Sequence, residues 1–458
     1  MRLYNSLSGN KEILEPVHGK TIRLYTCGPT VYNFAHIGNL RTYIFEDVLR
    51  RIIRLNGYKV LQVMNITDID DKIIKASVES GKKLEEIALP LEKYFFEDLS
   101  KLNIIRPEKT PRATRHIKTM IALIRTLLDK GYAYQTKDGS IYFKISKFKE
   151  YGKLSHPDFK DQGSSERTLA DEYEKNEVKD FALWKTRKAD EPYWDSPWGP
   201  GRPGWHIECS AMAMKYLGST MDIHAGGVDL MFPHHENEIA QSEAVTGKLF
   251  SRFFLHSEHL LVNNVKMAKS TGNFYTLRDI EKKGYDPLSF RYLCLQTHYR
   301  SKMNFTWEAL GAAAAALLNL KQVFALIKSN CKKVSGSRLS SEEKTGAEKK
   351  VLEALNDDLN TPKALAIVWN TLKDKNYSPK EKIALISYSD RVLGLNISEA
   401  PAIMEIIIPE ELGKLAEKRE KLRKEGNFSA ADKIRREIES KGYEIVDEPK
   451  TYKLRKKQ

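Results

Sequence analysis

Apolar and polar positions near the start of the chain follow two different rhythms. Thr21-Ile-Arg-Leu-Tyr-Thr26 is a compact β-type run that stops at the turn pair Gly28-Pro29. From about Gly38 to Asn56 the apolar residues Leu40, Tyr43, Ile44, Val48, Leu49 and Ile52 recur at spacings of three and four, which predicts a helix with one buried face. Lys59 to Ile66 then returns to a β-type run. Strand, helix and strand in that order, joined by a connection long enough for a crossover, predict a parallel, doubly wound α/β sheet.

Further along, residues 110 to 190 break the rhythm: short strands such as Ser140–Ile145 lie among charged, Gly-containing loops, as in an insertion that interrupts the sheet. Sheet signals resume at Met221–His224 and Phe253–His256. From about Thr306 the pattern is helical, a polar stretch from Ser335 to Lys350 reads as a surface loop, and Leu415 to Lys441 is charge-laced and helical. The expected division is a first half of the catalytic sheet at 1–110, an inserted connective segment at 111–190, and the second half at 191–260. A loop and stem-contact region at 261–305, a helical bundle at 306–400 and a small basic domain at 401–458 complete it.

Composition narrows the class. A chain of 458 residues is too long for one small core. The N-terminus lacks the apolar run of a signal peptide, and no stretch approaches the ~18 uninterrupted apolar residues of a membrane helix. A cytoplasmic protein with no membrane partner is the expectation. Four cysteines, Cys27, Cys209, Cys294 and Cys331, are too few for a disulfide framework, so they are core residues, metal ligands or nucleophiles. A net charge of +14 fits a polyanionic partner, nucleic acid first, and equally fits simple solubility or a basic proteome.

Two short motifs carry candidate chemistry. His36-Ile-Gly-Asn39 follows the first strand and opens the predicted helix. Ligands of open α/β sheets sit beyond the carboxyl ends of strands, and a helix N-terminus there offers free N–H groups to phosphate. Gly38 lets a purine or ribose approach the backbone, while His36 and Asn39 add donors for charge developing on an α-phosphate. A histidine at a helix start is also a common cap. Lys266-Met-Ala-Lys-Ser270 supplies two lysines three apart, able to reach one polyphosphate as mobile point charges, or to sit on a solvated face. Together the two motifs read as opposite halves of one ATP site.

A third constellation could bind metal. His234 and Glu238 share one helical face, and Cys27 and Cys209 each stand beside an active-site motif. Two thiolates, one imidazole and one carboxylate form a borderline-soft set that suits zinc, although lone cysteines are commonly core residues. His235-Glu236 starts a metalloprotease-like HExxH, which fails because position 239 is Ile.

The two motifs resemble the HIGH and KMSKS signatures of class I aminoacyl-tRNA synthetases, with Asn39 as the final residue in the form typical of the cysteinyl family. Thr26–Tyr32, Asn65–Asp71, Gly204–Cys209, His224–Leu230 and Pro233–Ile239 resemble that family too. Ala268 departs from it, standing where Ser is usual. The resemblance implies a Rossmann-type sheet with an inserted α+β segment, then an all-α bundle and a small basic C-terminal domain. It implies a monomer that activates L-cysteine with ATP and Mg²⁺ and passes it to the 3′ end of cysteine tRNA. Zinc would be held by Cys27, Cys209, His234 and Glu238. His36, Asn39, Lys266 and Lys269 would be catalytic, with Gly28, Thr30, Gly38, Asp229 and Lys269 at the nucleotide. Thr67, Trp205 and His224 would contact the cysteine; Asp229 is also an ordinary helix-cap residue and Trp205 an ordinary core residue. Zinc would separate cysteine from serine by bonding, where an apolar pocket supplies only about 1–3 kcal/mol for so small a difference. Two rivals remain: a ligase passing cysteine to an amino sugar, and a non-catalytic zinc-containing RNA-binding protein. The long basic helical half favours tRNA over a small acceptor.

Overall fold

The computed structural model describes residues 1–155, 180–267, 272–332, 346–398, 410–441, 443–448 and 451–456. An antiparallel hairpin, β1 (Arg2–Asn5) and β2 (Asn10–Ile13), comes first. The next three elements create the site's frame. β3 (Thr21–Thr26) pairs parallel with β4 (Lys59–Met64), from Thr21 opposite Lys59 to Thr26 opposite Met64. Between them α1 (Ile37–Leu55) buries Leu40, Ile44, Val48, Leu49 and Ile52, the stripe that its spacing predicts.

Helices α2 (Asp71–Ser80), α3 (Leu84–Lys101) and α4 (Ile117–Asp129) follow. An antiparallel sheet is then built from β5 (Ala133–Gln135), β6 (Ile141–Phe143), β7 (Phe181–Thr186) and β8 (Gly201–Pro203). Its core includes the stacked rings of Phe143 and Phe181, 4.9 Å apart. The expected strand at Ser140–Ile145 is shorter than its pattern suggested, because Asp138 draws Ser140 into a turn through its hydroxyl at 2.9 Å.

The parallel sheet resumes after α5 (Trp205–Leu217) with β9 (Met221–Gly227), α6 (Glu236–Thr246) and β10 (Ser251–Ser257). Its strand order is β10-β9-β3-β4, with every pairing parallel. All seven residues of β9 are buried, as expected of a strand covered on both faces. From β3 the chain winds through α1 toward β4; from β9 it winds through α6 the other way. The strand order therefore reverses between β3 and β9, and a crevice opens beyond their carboxyl ends.

A small sheet, β12-β11-β13, stands next to the start of α1: β11 is Leu260–Val262, β12 is Val265–Lys266 and β13 is Met303–Phe305, with α7 (Leu277–Lys282) and α8 (Pro287–Leu295) between the last two. Arg41 of α1, buried, donates to the carbonyls of Glu258, His259, His298 and Ser301 at 2.8, 2.7, 3.4 and 2.5 Å. One guanidinium thus ties α1 to the strands that lead into the Lys266 loop.

The remainder is helical. α9 (Trp307–Lys332) has a window of mean hydropathy 1.7, long and apolar enough by composition to cross a membrane although charged and polar residues interrupt it. It buries Leu310, Ala313, Leu317 and Leu320 within the protein. α10 (Gly346–Asn356), α11 (Thr361–Lys373) and α12 (Pro379–Leu393) belong with Met1–Leu320 to one compact unit. Residues 346–350 of the expected polar loop are thus helical, and 335–345 lie outside the described residues.

The second unit, Lys321–Ser335 with Glu399–Gln458, contains α13 (Glu410–Lys424), α14 (Phe428–Ser440) and a hairpin, β14 (Tyr443–Glu448) with β15 (Thr451–Lys456). The helical stretch expected at Leu415–Lys441 forms two helices, because Gly426 takes φ of 75° and Asn427 caps a new start. Its small core gathers Leu412, Ala416, Ile434, Ile438 and Ile445.

Candidate active site

The loops leaving β3 and β4 are zipped together. Val31 donates its N–H to the Thr67 carbonyl at 3.1 Å, and Thr67 donates back to Pro29 at 3.0 Å. Asn65 directs this junction: its side-chain oxygen accepts from the Gly28 N–H at 2.9 Å and its amide donates to Thr67 Oγ1 at 3.0 Å. A Cβ on Gly28 would run into the Asn65 main-chain carbonyl, so only glycine allows the approach. Among the predicted site residues, Cys27, Gly28, Thr30, His36, Asn39, Thr67, Trp205, Cys209, Asp229 and His234 all line one cleft of about 260 Å³.

His36 is the N-cap of α1, which is the structural role its position allowed. Nδ1 accepts from the Asn39 N–H at 3.1 Å, and Asn39 Oδ1 accepts from the His36 N–H at 3.4 Å. The cap does not compete with chemistry. An Nδ1 that accepts a hydrogen bond leaves the proton of a neutral imidazole on Nε2, which makes that nitrogen a donor at the cleft. The α1 N-terminus adds its partial positive charge on the same side.

The second lysine motif begins beside the first. Lys266 ends β12, exposed, and its carbonyl accepts from Asn273 Nδ2 at 3.2 Å. The Met267 methyl lies 2.7 Å from where a Cβ on Gly38 would stand, so Met267 packs against the open backbone at Gly38. Ile37 donates to the Tyr275 carbonyl at 2.9 Å, and the His36 and Phe274 rings meet edge to face at 5.2 Å. The chain on both sides of the loop therefore packs against the start of α1. Lys269 and Ala268 lie outside the described residues.

At the floor of the cleft Cys27, Cys209, His234 and Glu238 bring their ligand atoms within 4.8 Å of one another, all four buried. His234 Nε2 is 3.1 Å from Glu238 Oε1, and Cys27 Sγ is 3.9 Å from the same oxygen. Burial pushes the Cys27 thiol up. A hydrogen bond from Cys27 stabilises the Cys209 thiolate and brings it down to about 6. Against burial, Glu238 and the Cys209 thiolate hold the His234 imidazolium up at about 10, and His224 and His234 hold Glu238 at about 2. Two anions, the Cys209 thiolate and Glu238, thus face one cation, His234, and the set of donors fits zinc.

Histidines that the sequence reading left unassigned surround this cluster. His206 Nδ1 is 2.9 Å from His234 Nδ1, the kind of partner that orients a ligating imidazole. His235 Nε2 lies 3.4 Å from Cys27 Sγ, and its Nδ1 is 2.9 Å from His256, which reaches Ser6 at 2.8 Å. With Cys27, His224 and Glu238, His235 makes a second, overlapping set of candidate ligands. The doublet His234-His235 was the one signal for this, and only the fold points both rings inward. His224 stands one layer deeper than a pocket wall, fully buried with Nε2 3.0 Å from Glu238 Oε2. Trp205 stacks on His234 at 4.1 Å, so it forms the wall above the cluster.

Comparison with known proteins follows the same lines. The family described as the class I (C) tRNA synthetase catalytic domain matches residues 13–315, and the DALR domain matches 350–394. A cysteine–tRNA ligase of Protochlamydia amoebophila is 46% identical over 100% of this chain and 98% of its own. One from Leptospira interrogans is 46% identical over 100% and 99%. Among solved structures, methionyl-tRNA synthetase of Mycobacterium tuberculosis bound to methionyl-adenylate has a TM-score of 0.60 at 15% identity, over 83% of this chain and 93% of that one.

Proposed function

The chain belongs to the class I (C) tRNA synthetase family, and on that premise we propose that it activates L-cysteine with ATP and joins it to the 3′ end of cysteine tRNA. The observation that carries this reading is the shared cleft: a set of donors that fits zinc on its floor and a capped histidine at a helix N-terminus on its rim. One strand–loop–helix, Cys27 to Asn39, contributes to both.

Cys27, Cys209, His234 and Glu238 would hold a zinc ion, and zinc bound there would act as a Lewis acid that prefers a thiolate to a hydroxyl. Trp205 closes the wall above those residues, and Thr67 and Asp229 offer polar groups to the amino acid or ribose. The carboxylate of cysteine attacks the α-phosphorus of ATP, the bond to the β-phosphate breaks, and pyrophosphate leaves with its Mg²⁺. His36 Nε2–H, Asn39 and the α1 N-terminus stabilise the charge that builds on the α-phosphate. Lys266 and Lys269 neutralise the β- and γ-phosphates. A terminal ribose hydroxyl of the tRNA then attacks the adenylate carbonyl, and AMP departs. Positioning and fixed charge carry the catalysis, since no side chain bonds covalently to the substrate.

Cysteine-dependent ATP–pyrophosphate exchange followed by charging of purified tRNA with labelled cysteine tests the reading. Exchange and charging are both expected. Exchange without charging would move the reading to a ligase with a small amine acceptor, and absence of exchange would make the chain a binding protein.

A further inference from the structure

We propose that Arg278 is a positioning residue for adenylate formation, holding Phe34 and with it the cleft wall that leads into His36. The inference rests on the adenylation reading above. Arg278 stands in the first turn of α7, just beyond the Lys266 loop. Its guanidinium carbon lies 4.1 Å from the centre of the Phe34 ring and 4.4 Å from that of Tyr94. The two rings are 5.4 Å apart and tilted by 53°, so they form a V in which the cation sits. Phe34 lines the cleft two residues ahead of His36; Tyr94, on α3, is 38% exposed and does not line it.

The bonding of this arginine sets it apart from others in the fold. Arg41 and Arg291 bury their guanidinium groups on carbonyls and a carboxylate. Arg278 Nη1 is buried with no hydrogen-bond partner among the described residues, and so are both oxygens of Asp98, one turn beyond Tyr94 on α3. Arg278 therefore spends its burial on two ring faces, an interaction that strengthens as water is excluded. A second link, Lys101 to Glu281 at 2.7 Å, joins the same two helices. The loop carrying Phe34 belongs to no helix or strand, so its side chain depends on this packing. On the backbone side, the bond from Ile37 to Tyr275 holds the same stretch from the segment that leads into α7.

Cysteine-dependent pyrophosphate exchange by the full chain, with metal content measured alongside, tests the assignment. Arg278→Ala should lower kcat by about tenfold while the cysteine KM moves less than about threefold and zinc per chain is unchanged. Arg278→Lys, which keeps the cation, should recover most of that loss. Tyr94→Leu, away from the cleft, should lower kcat by about threefold. Adding Arg278→Ala to Phe34→Leu should cost little beyond Phe34→Leu alone. Full kcat in Arg278→Ala, strictly additive losses, or a loss that follows zinc content would each overturn the proposal. A wild-type chain without cysteine-dependent exchange would instead remove the adenylation reading on which it rests.

Discussion

Two side-by-side residues, Cys27 and Gly28, set the limits of the site at the smallest scale. Cys27 is buried with its sulfur facing Glu238 and His235, so replacing it removes a soft donor and changes nothing in shape. Cys27→Ser should lower zinc per chain and raise the cysteine KM on the order of 10–100-fold, while the ATP KM moves less than about twofold. Metal analysis with exchange kinetics checks this; unchanged zinc and cysteine KM would take Cys27 out of the ligand set. Gly28→Ala acts by volume, since the new methyl meets a main-chain carbonyl that cannot swing aside. It should cost about 1–3 kcal/mol of stability, read from denaturant unfolding, and reduce exchange as the Asn65 junction shifts. Cys27 was legible as a candidate ligand because thiols are rare in this chain. The need for glycine at 28 was not, because the obstacle is a residue on another loop.

Among the elements, α3 and α7 are joined by charge, Lys101 to Glu281 at 2.7 Å. Asp98 on α3 is pushed up to about 6 by burial, with Arg278 and Lys101 opposing and Glu281 and Glu97 adding to the rise. A carboxyl raised in the folded state favours folding while it stays protonated. That contribution is complete below about pH 4 and is lost as pH rises through about 6. Above pH 6 the buried carboxylate is a burden, so Asp98→Asn should raise Tm at pH 8 by about 1–3 °C, with the gap narrowing as pH falls below about 6 and closing near pH 4. A Tm difference independent of pH would show that the effect is packing and not charge. At the same scale, Lys266→Ala should cut exchange while leaving bound zinc and cysteine KM unchanged, because Lys266 lies on β12 and not among the donors on the floor. Periodicity placed α1 within a residue or so at each end, since a stripe at three and four is what a helix must bury. It could not divide α13 from α14, where one glycine and one asparagine interrupt a pattern that otherwise continues.

For the molecule as a whole, the net charge of +14 bears on the tRNA. Charging should weaken as salt rises from roughly 50 to 200 mM, with the tRNA KM increasing on the order of tenfold or more while the cysteine KM barely moves. A salt-insensitive tRNA KM would assign the basic surplus to solubility. Local pattern was enough to predict the parallel sheet and to mark the two motifs and the residues Cys27, Cys209, His234 and Glu238 as candidates; it was the resemblance to the cysteinyl family that joined those four into one set. Period and residue type are visible within a few positions, whereas a set spread from Cys27 to Glu238 is not. What only the tertiary structure decided is how those pieces meet: Met267 against Gly38, Asn65 under Gly28, a chain of histidines behind the donors, and Arg278 over Phe34. These partners are far apart along the chain, and no local rhythm encodes them. They are brought together because the strand order reverses between β3 and β9, and that reversal is a property of the assembled sheet rather than of any segment in it.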